Sequence, residues 1–125
     1  MKNSYQDSSA YITRDGSEIR ELMHPAGMKG KPGSVSSQQQ SLAEAIVKPG
    51  QLTQLHRHIK SEELYHVTSG TGLMTLADEK FDVTSGDTIC IPPGTAHCIE
   101  NTGTDDLLIL CCCSPAYSHE DTELL

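Results

Sequence analysis

The sequence predicts an all-β domain, a sandwich or barrel built from short strands. Apolar and β-branched runs recur at roughly 8–12-residue spacing, and turn residues bound each run. The 10 glycines and 6 prolines are spread along the chain as turn residues and are not concentrated in one linker. No window of useful length shows the 3.6-residue periodicity of an amphipathic helix.

Residues 1–41 are the least regular part of the chain, and we expect them to form an N-terminal arm. Residues 11–13 predict a short strand, residues 15–16 a turn, and residues 17–22 a strand or a single helical turn. Residues 27–40, with three glycines and Pro32, predict a loop. Such an arm wraps its own barrel or adds a strand to a partner's sheet, and a mobile tail is the alternative.

From residue 42 the strand pattern becomes regular, and we assign residues 42–116 to the barrel and 117–125 to a C-terminal tail. Turn residues separate the expected strands, as in Pro49-Gly50, Ser69-Gly70 and Pro92-Pro93-Gly94. The predicted strands are residues 42–48, 51–58, 63–68, 72–76, 80–83, 88–91, 97–100 and 107–113.

Two blocks of residues concentrate potential metal ligands within residues 50–101. The first block is Gly50-x5-His56-x-His58-x4-Glu63-x6-Gly70, and the second is Gly86-x5-Pro92-x-Gly94-x2-His97-x3-Asn101. Three imidazoles and one carboxylate are common protein ligands of a divalent transition metal. The two blocks therefore predict a metal site made by His56, His58, Glu63 and His97.

Strand geometry decides which side chains of the first block can converge. His56 and His58 are two residues apart, so on a strand both point to the same face. Glu63 has the wrong parity for the same continuous strand, and residues 59–62 must therefore bend or bulge. Glu62 is the competing candidate. We prefer Glu63 because it shares a face with Tyr65, a residue suited to the interior.

The remaining ligand comes from a different hairpin. His97 follows the Pro92-Pro93-Gly94 segment, in which proline fixes φ and glycine can take a positive φ. Such a rigid turn directs the start of the next strand back across the barrel. A single histidine at a strand start is usually incidental, but the upstream block and this turn favour a ligand.

The two blocks resemble the two motifs of the cupin superfamily, and they match it at every motif position over residues 50–101. The resemblance implies a double-stranded β-helix, or jelly-roll barrel, with metal ligands at His56, His58, Glu63 and His97. The flanks, residues 15–22 and Ser114-Pro115-Ala116-Tyr117, resemble a subgroup labelled mannose-6-phosphate isomerase-like. Because this superfamily hosts many chemistries, the fold alone does not define the reaction.

The predicted site suits several metals and more than one function. Mixed nitrogen and oxygen ligands fit Mn, Fe, Zn, Ni or Co. We expect a metal-dependent enzyme that isomerises or oxidatively cleaves a small oxygenated metabolite, with Tyr65 as the inward-facing catalytic candidate. The alternative is a noncatalytic module that binds or senses a small ligand in the same pocket.

The composition of the chain argues against some classes of binding partner and indicates a cellular location. The net charge of −8 argues against nonspecific nucleic-acid binding and against attachment to an anionic membrane. No run approaches the roughly 20 apolar residues of a membrane span, and the polar N-terminus lacks the apolar core of a signal peptide. The chain has five cysteines, an odd number that favours reduced thiols. The absence of a predicted span or signal peptide and the reduced thiols together predict a cytoplasmic protein.

The arm and the exposed sheet edges of a small jelly roll predict a homodimer.

Overall fold

The computed structural model describes residues 2–26 and 37–125, which fold into two antiparallel sheets around one core. Buried side chains of both sheets, among them Val67, Ile109, Met74 and Ile99, form that core. The architecture is the jelly roll that the sequence predicts. The predicted loop over residues 27–40 lies mostly outside the described residues, which exclude positions 27–36.

Eleven strands and one short 3-10 turn, Tyr5–Asp7, make up the described secondary structure. The strands are β1 (Ala10–Ile12), β2 (Glu18–Met23), β3 (Ser41–Val47), β4 (His56–His58), β5 (Glu62–Ser69), β6 (Thr71–Leu76), β7 (Glu79–Thr84), β8 (Thr88–Ile91), β9 (His97–Asn101), β10 (Leu107–Ser114) and β11 (Thr122–Leu124).

The strand order places both ends of the chain against the barrel. The first sheet has the order β1-β2-β3-β10-β5-β8, and the second has the order β11-β4-β9-β6-β7. Strands β1 and β2 lie within residues 1–41 and extend the first sheet beyond β3. Strand β11 lies within residues 117–125 and pairs with β4. No helix among the described residues is long and apolar enough to cross a membrane.

One predicted strand is much shorter in the structure. Only His56–His58 of the predicted strand 51–58 is a strand, and Leu52 forms an isolated bridge to Glu100. The intervening backbone hydrogen-bonds to different segments, since Thr53 N donates to Ile99 O and Gln54 N donates to Asp15 O. Apolar–polar alternation does not reveal such a change of partner, which explains the incorrect prediction.

Small side chains on two central strands line a cavity inside the barrel. Strand β3 places Ala43 and Ala45 toward the interior, and its neighbour β10 places Cys111 and Cys113 there. Alternation along β10 explains the cysteine triplet, because Cys111 and Cys113 are buried while Cys112 is on the opposite face. Since larger side chains would fill this space, these short ones position the cavity described below.

Candidate metal centre

Three buried histidines lie close together, and two of them, His56 and His58, line this cavity. His56 and His58 come from β4, and His97 begins β9, where it is the cross-strand partner of His56. Their ring nitrogens lie within 4.8 Å of one another, and all three side chains are buried. The ring centroids of His56 and His97 are 4.2 Å apart. The structure thus brings together the three histidines that the sequence places in one site.

The carboxylate closest to these rings is that of Glu63. Its Oε1 lies 3.2 Å from Nε2 of His58 and 3.4 Å from Nε2 of His97. Glu63 is 5% exposed, whereas Glu62 is exposed and points away from the cavity. Glu63 is therefore the acidic residue that shares the interior with the histidines.

A bend after β4 lets Glu63 face the same interior as His56 and His58, which the odd spacing between His58 and Glu63 requires. Strand β4 belongs to the second sheet and β5 to the first, so residues 59–61 carry the chain between sheets. The carboxylate of Asp121 fixes the bend by accepting hydrogen bonds from the backbone N–H groups of Lys60 and Ser61, at 2.9 and 3.0 Å. The hydroxyl of Ser61 donates to Pro115 O at 2.8 Å.

The turn before β9 also fixes the relative position of the two blocks. Gly94 has φ +76, and its N–H donates to the carbonyl of His58 at 2.6 Å. A left-handed conformation at this point is easily accepted only by glycine. The hydrogen bond joins the turn directly to a site residue, and His97 begins its strand three residues later.

Hydrogen bonds from Nδ1 of two of the rings determine the protonation of their other nitrogen, Nε2. Nδ1 of His56 lies 2.8 Å from Gln54 O, and Nδ1 of His97 lies 2.9 Å from Thr95 O. Because a carbonyl can only accept, Nδ1 of both rings carries the proton. In the neutral rings Nε2 then holds a free lone pair, as a metal ligand requires.

Strand β11 supplies the equivalent partner for the third ring. Nδ1 of His58 lies 3.0 Å from Oγ1 of Thr122, whose hydroxyl donates to Ser118 O at 2.9 Å. Since that hydroxyl proton is used, Oγ1 accepts from Nδ1–H of His58. All three rings are therefore oriented by acceptors in the way that supports metal ligation.

Two polar atoms at the centre of the cluster lack hydrogen bonds. Glu63 Oε1 and His97 Nε2 are buried and have no hydrogen-bond partner among the described residues. Two acceptors facing each other require a cation between them, because a buried unpaired polar atom is costly. A divalent metal ion fits this donor set of three imidazoles and a carboxylate.

A proton is the alternative cation at the same position. Burial by itself raises the pKa of Glu63, but the rings of His58 and His97 beside it lower the pKa to about 2. Burial also lowers the pKa of His56, and the neighbouring His97 lowers it further. The site therefore keeps Glu63 ionised and His56 neutral near neutral pH, which are the ligating forms of both residues.

The walls of the cavity beside the cluster carry both hydroxyl groups and carboxyl groups. Tyr65, the predicted catalytic residue, lines it with its ring 5.9 Å from that of His97. Burial raises the pKa of Tyr65 well above its ordinary value, so the phenol remains a hydrogen-bond donor.

Several cavity residues lie outside the two sequence blocks and were missed. Tyr11, Asp15 and Glu21 come from the β1–β2 hairpin, and Tyr117 and Thr122 come from the segment after β10. Sequence spacing does not relate these segments to the histidines, because only the strand pairing brings them together. The sequence offered one indication: if residues 17–22 form a strand, Glu21 lies on the same face as Ser17 and Ile19.

This chain is similar in sequence to several known proteins. An uncharacterized protein of Methanocaldococcus jannaschii is 56% identical over 125 residues, covering 100% of this chain and 94% of that protein. Mannose-1-phosphate guanylyltransferase 2 of Escherichia coli O157:H7 is 35% identical over 117 residues. That match covers 93% of this chain but only 23% of the transferase, so the similarity is to one part of a longer protein.

The fold is also found among solved structures. A variant of Streptomyces PAC13 with uridine superposes with a TM-score of 0.76 at 20% identity, covering 99% of this chain and 89% of that one. The family model described as Cupin domain matches residues 43–113, which include the three histidines and Glu63. This chain therefore belongs to the cupin domain family.

Proposed function

We propose that this protein is a metal-dependent enzyme that acts on a small, oxygen-rich metabolite. The observation that carries the proposal is the cluster of three buried histidines beside a cavity, with Glu63 Oε1 lying 3.2 Å and 3.4 Å from two of them. His56, His58, Glu63 and His97 would hold the metal, whose identity among Mn, Fe, Zn, Ni and Co is open. When bound, such an ion polarises an oxygen of the ligand as a Lewis acid.

Proton transfer is the chemistry that the other residues support best. Tyr65 remains protonated in the cavity wall and can donate a hydrogen bond to a developing oxyanion. Isomerisation of a hydroxyaldehyde or hydroxyketone, and loss of water from a related compound, both need such a donor. PAC13, described as a nucleoside dehydratase, shares the fold and was solved with uridine, a neutral hydroxylated ligand.

Sugar-phosphate isomerisation is less well supported than chemistry on a neutral substrate. None of the described residues lining the cavity is Lys or Arg. A phosphate group would have to bind without the cationic side chains that usually hold it. The resemblance to mannose-6-phosphate isomerase-like proteins therefore supports the metal site more than the phosphorylated substrate.

The proposal is tested by following both proton exchange and oxygen consumption. Metal-loaded protein is incubated in D2O with a panel of hydroxyketones, sugars and nucleosides, and NMR detects deuterium incorporated next to a carbonyl. We expect incorporation or product formation with at least one member, abolished in His58→Ala and reduced at least 10-fold in Tyr65→Phe. Oxygen uptake instead would identify the oxidative cleavage expected as the other reaction type. Tight binding with neither activity would favour the noncatalytic alternative.

We also propose that the protein is a cytoplasmic homodimer. All five cysteines are free thiols, which fits a reducing compartment. On the outer face of the first sheet, Leu42 and Leu64 flank Cys112 in register, and both leucines are exposed. A second copy covering this row would remove apolar surface from water. Light scattering is expected to give twice the chain mass, and a monomeric mass would contradict the dimer.

A further inference from the structure

We propose that the β1–β2 hairpin makes the cavity selective for a small neutral ligand with several hydroxyl groups, which donate hydrogen bonds to Glu21 and Asp15. The inference rests on the proposed function and specifies its substrate class. Both residues lie outside residues 43–113, the part matched by the family model. The selectivity would therefore reside in a segment that the metal-binding motifs do not include.

Glu21 lines the same cavity as His56, His58 and Glu63. On the inner face of the first sheet, Glu21 is the register partner of Ala43, and Ala43 is the partner of Cys111. Cys111 is in turn the partner of Tyr65. The two small side chains in the middle leave room between the carboxyl group of Glu21 and the phenol of Tyr65. A ligand in that space can contact both walls.

The carboxyl group of Glu21 has one occupied oxygen and one free oxygen. Its Oε2 accepts a hydrogen bond from the hydroxyl of Tyr11 at 3.1 Å, which fixes its orientation. Its Oε1 is buried and has no hydrogen-bond partner among the described residues. Burial raises the pKa of Glu21, a sign that the carboxylate is poorly solvated. A hydroxyl donor from a bound ligand would satisfy the free oxygen.

Asp15 places a second acceptor beside the metal ligands. Its Oδ1 accepts hydrogen bonds from the backbone N–H and the hydroxyl of Ser17, at 3.0 and 2.7 Å. These bonds hold Oδ2 at 3.7 Å from Nε2 of His56. Asp15 can therefore accept a hydrogen bond from a ligand group that lies close to the metal. The two carboxyl groups together define two acceptor positions along one wall.

The charge of the cavity selects against anionic ligands. Among the described lining residues, Asp15, Glu21 and Glu63 are acidic and none is Lys or Arg. Arg20 donates to Ser8 O, Arg14 donates to the carbonyls of His119 and Thr122, and Arg57 pairs with Glu123 at 2.9 Å. A phosphate or dicarboxylate would face two carboxyl groups beyond the metal, and like charges repel in a site of low dielectric constant.

The test measures ligand binding to cobalt-loaded protein by changes in the visible Co²⁺ spectrum. The probes are D-ribose and D-fructose, each compared with its own phosphate ester, and oxalate. The variants are Glu21→Gln and Asp15→Asn. Glu18→Gln is the matched control, because Glu18 lies on the same strand but outside the cavity lining. Cobalt stoichiometry is measured first for every variant.

We expect a neutral sugar to bind more tightly than its phosphate ester and than oxalate. Glu21→Gln should weaken that binding about 10-fold or more, as for loss of a hydrogen bond to a charged acceptor. Glu18→Gln should leave it unchanged, and Asp15→Asn should weaken it while cobalt remains bound.

Tighter binding of the anions, an unchanged affinity in Glu21→Gln, or no binding by any probe at millimolar concentration would overturn the inference. Each of these results would leave the metal site intact. Failure of the wild-type protein to bind cobalt would instead overturn the proposed function on which the inference rests.

Discussion

The thiol of Cys113 donates a hydrogen bond to Oε2 of Glu63, with Sγ and Oε2 3.1 Å apart. The two residues are cross-strand partners on β10 and β5, so the contact is set by the register of the sheet. It leaves Oε1 directed at His58 and His97. Burial and the neighbouring Glu63 carboxylate raise the pKa of Cys113, which keeps the thiol protonated and able to donate. Cys113 thus positions the carboxylate that we propose as a metal ligand.

Replacing Cys113 tests this positioning role. Cys113→Val removes the donor at similar volume, and we expect metal affinity to fall about 10-fold, as for loss of other groups that orient metal ligands. Cys113→Ser keeps a donor and should retain most of the affinity. Competition with a chromophoric chelator measures both dissociation constants. Equal losses in the two variants would show that packing, and not the hydrogen bond, explains the effect.

Thr122 provides a similar test at His58, another of the proposed metal ligands. Thr122→Val leaves Nδ1–H of His58 without its acceptor at nearly constant volume, so we expect metal affinity to fall by about 10–100-fold. Thr122→Ser preserves the hydroxyl and serves as the control. The same chelator competition applies. An unchanged affinity in the valine variant would mean that β11 does not orient His58.

The free energy of unfolding of the metal-free protein should fall in two stages as the pH is lowered. The pKa of His56 is lowered from its ordinary value of 6.5, so the unfolded chain binds a proton more readily than the folded one. Stability is therefore expected to fall as pH drops below about 6.5. Glu63, with a pKa of about 2 against an ordinary 4.5, stabilises the fold above pH 4.5. That contribution is lost as pH falls toward 2.

Thermal unfolding at several pH values, followed by circular dichroism with a chelator present, checks this expectation. Added metal should raise the melting temperature at pH 7 and have a diminishing effect at lower pH, because protons compete for the same ligands. A melting temperature that stays constant between pH 7 and pH 5 in the metal-free protein would contradict the account of His56.

Two motif glycines should differ strongly in their tolerance of a side chain. Gly70 and Gly86 have φ +92 and +95, so alanine is similarly strained at both positions. At Gly70, however, a Cβ would lie 2.8 Å from the backbone oxygen of Asp106, whereas nothing lies within 4 Å at Gly86. We expect Gly70→Ala to lower the free energy of unfolding by about 1–3 kcal/mol more than Gly86→Ala. Urea denaturation of the two variants measures the difference; equal losses would refute the steric explanation.

The sequence was most informative where local spacing determines geometry. The two-residue separation of His56 and His58 predicts a shared face, and the parity of Glu63 predicts the bend that the structure shows at residues 59–61. The pairing of β1–β2 with β3 and of β11 with β4 joins residues distant in the sequence, and no local pattern indicates it. For this reason Glu21, Asp15 and Thr122 could not be assigned to the site from their spacing.

The proposed metal centre is tested most directly by the metal content of the purified protein and of His58→Ala and Glu63→Gln. After reconstitution with Mn²⁺ or Co²⁺ and removal of excess metal, elemental analysis should give one ion per wild-type chain. Both variants should have greatly reduced occupancy while retaining the β-sheet circular dichroism of the wild type. A wild-type chain that binds no divalent metal, or variants that bind it equally well, would contradict the assignment of His56, His58, Glu63 and His97 as a metal centre.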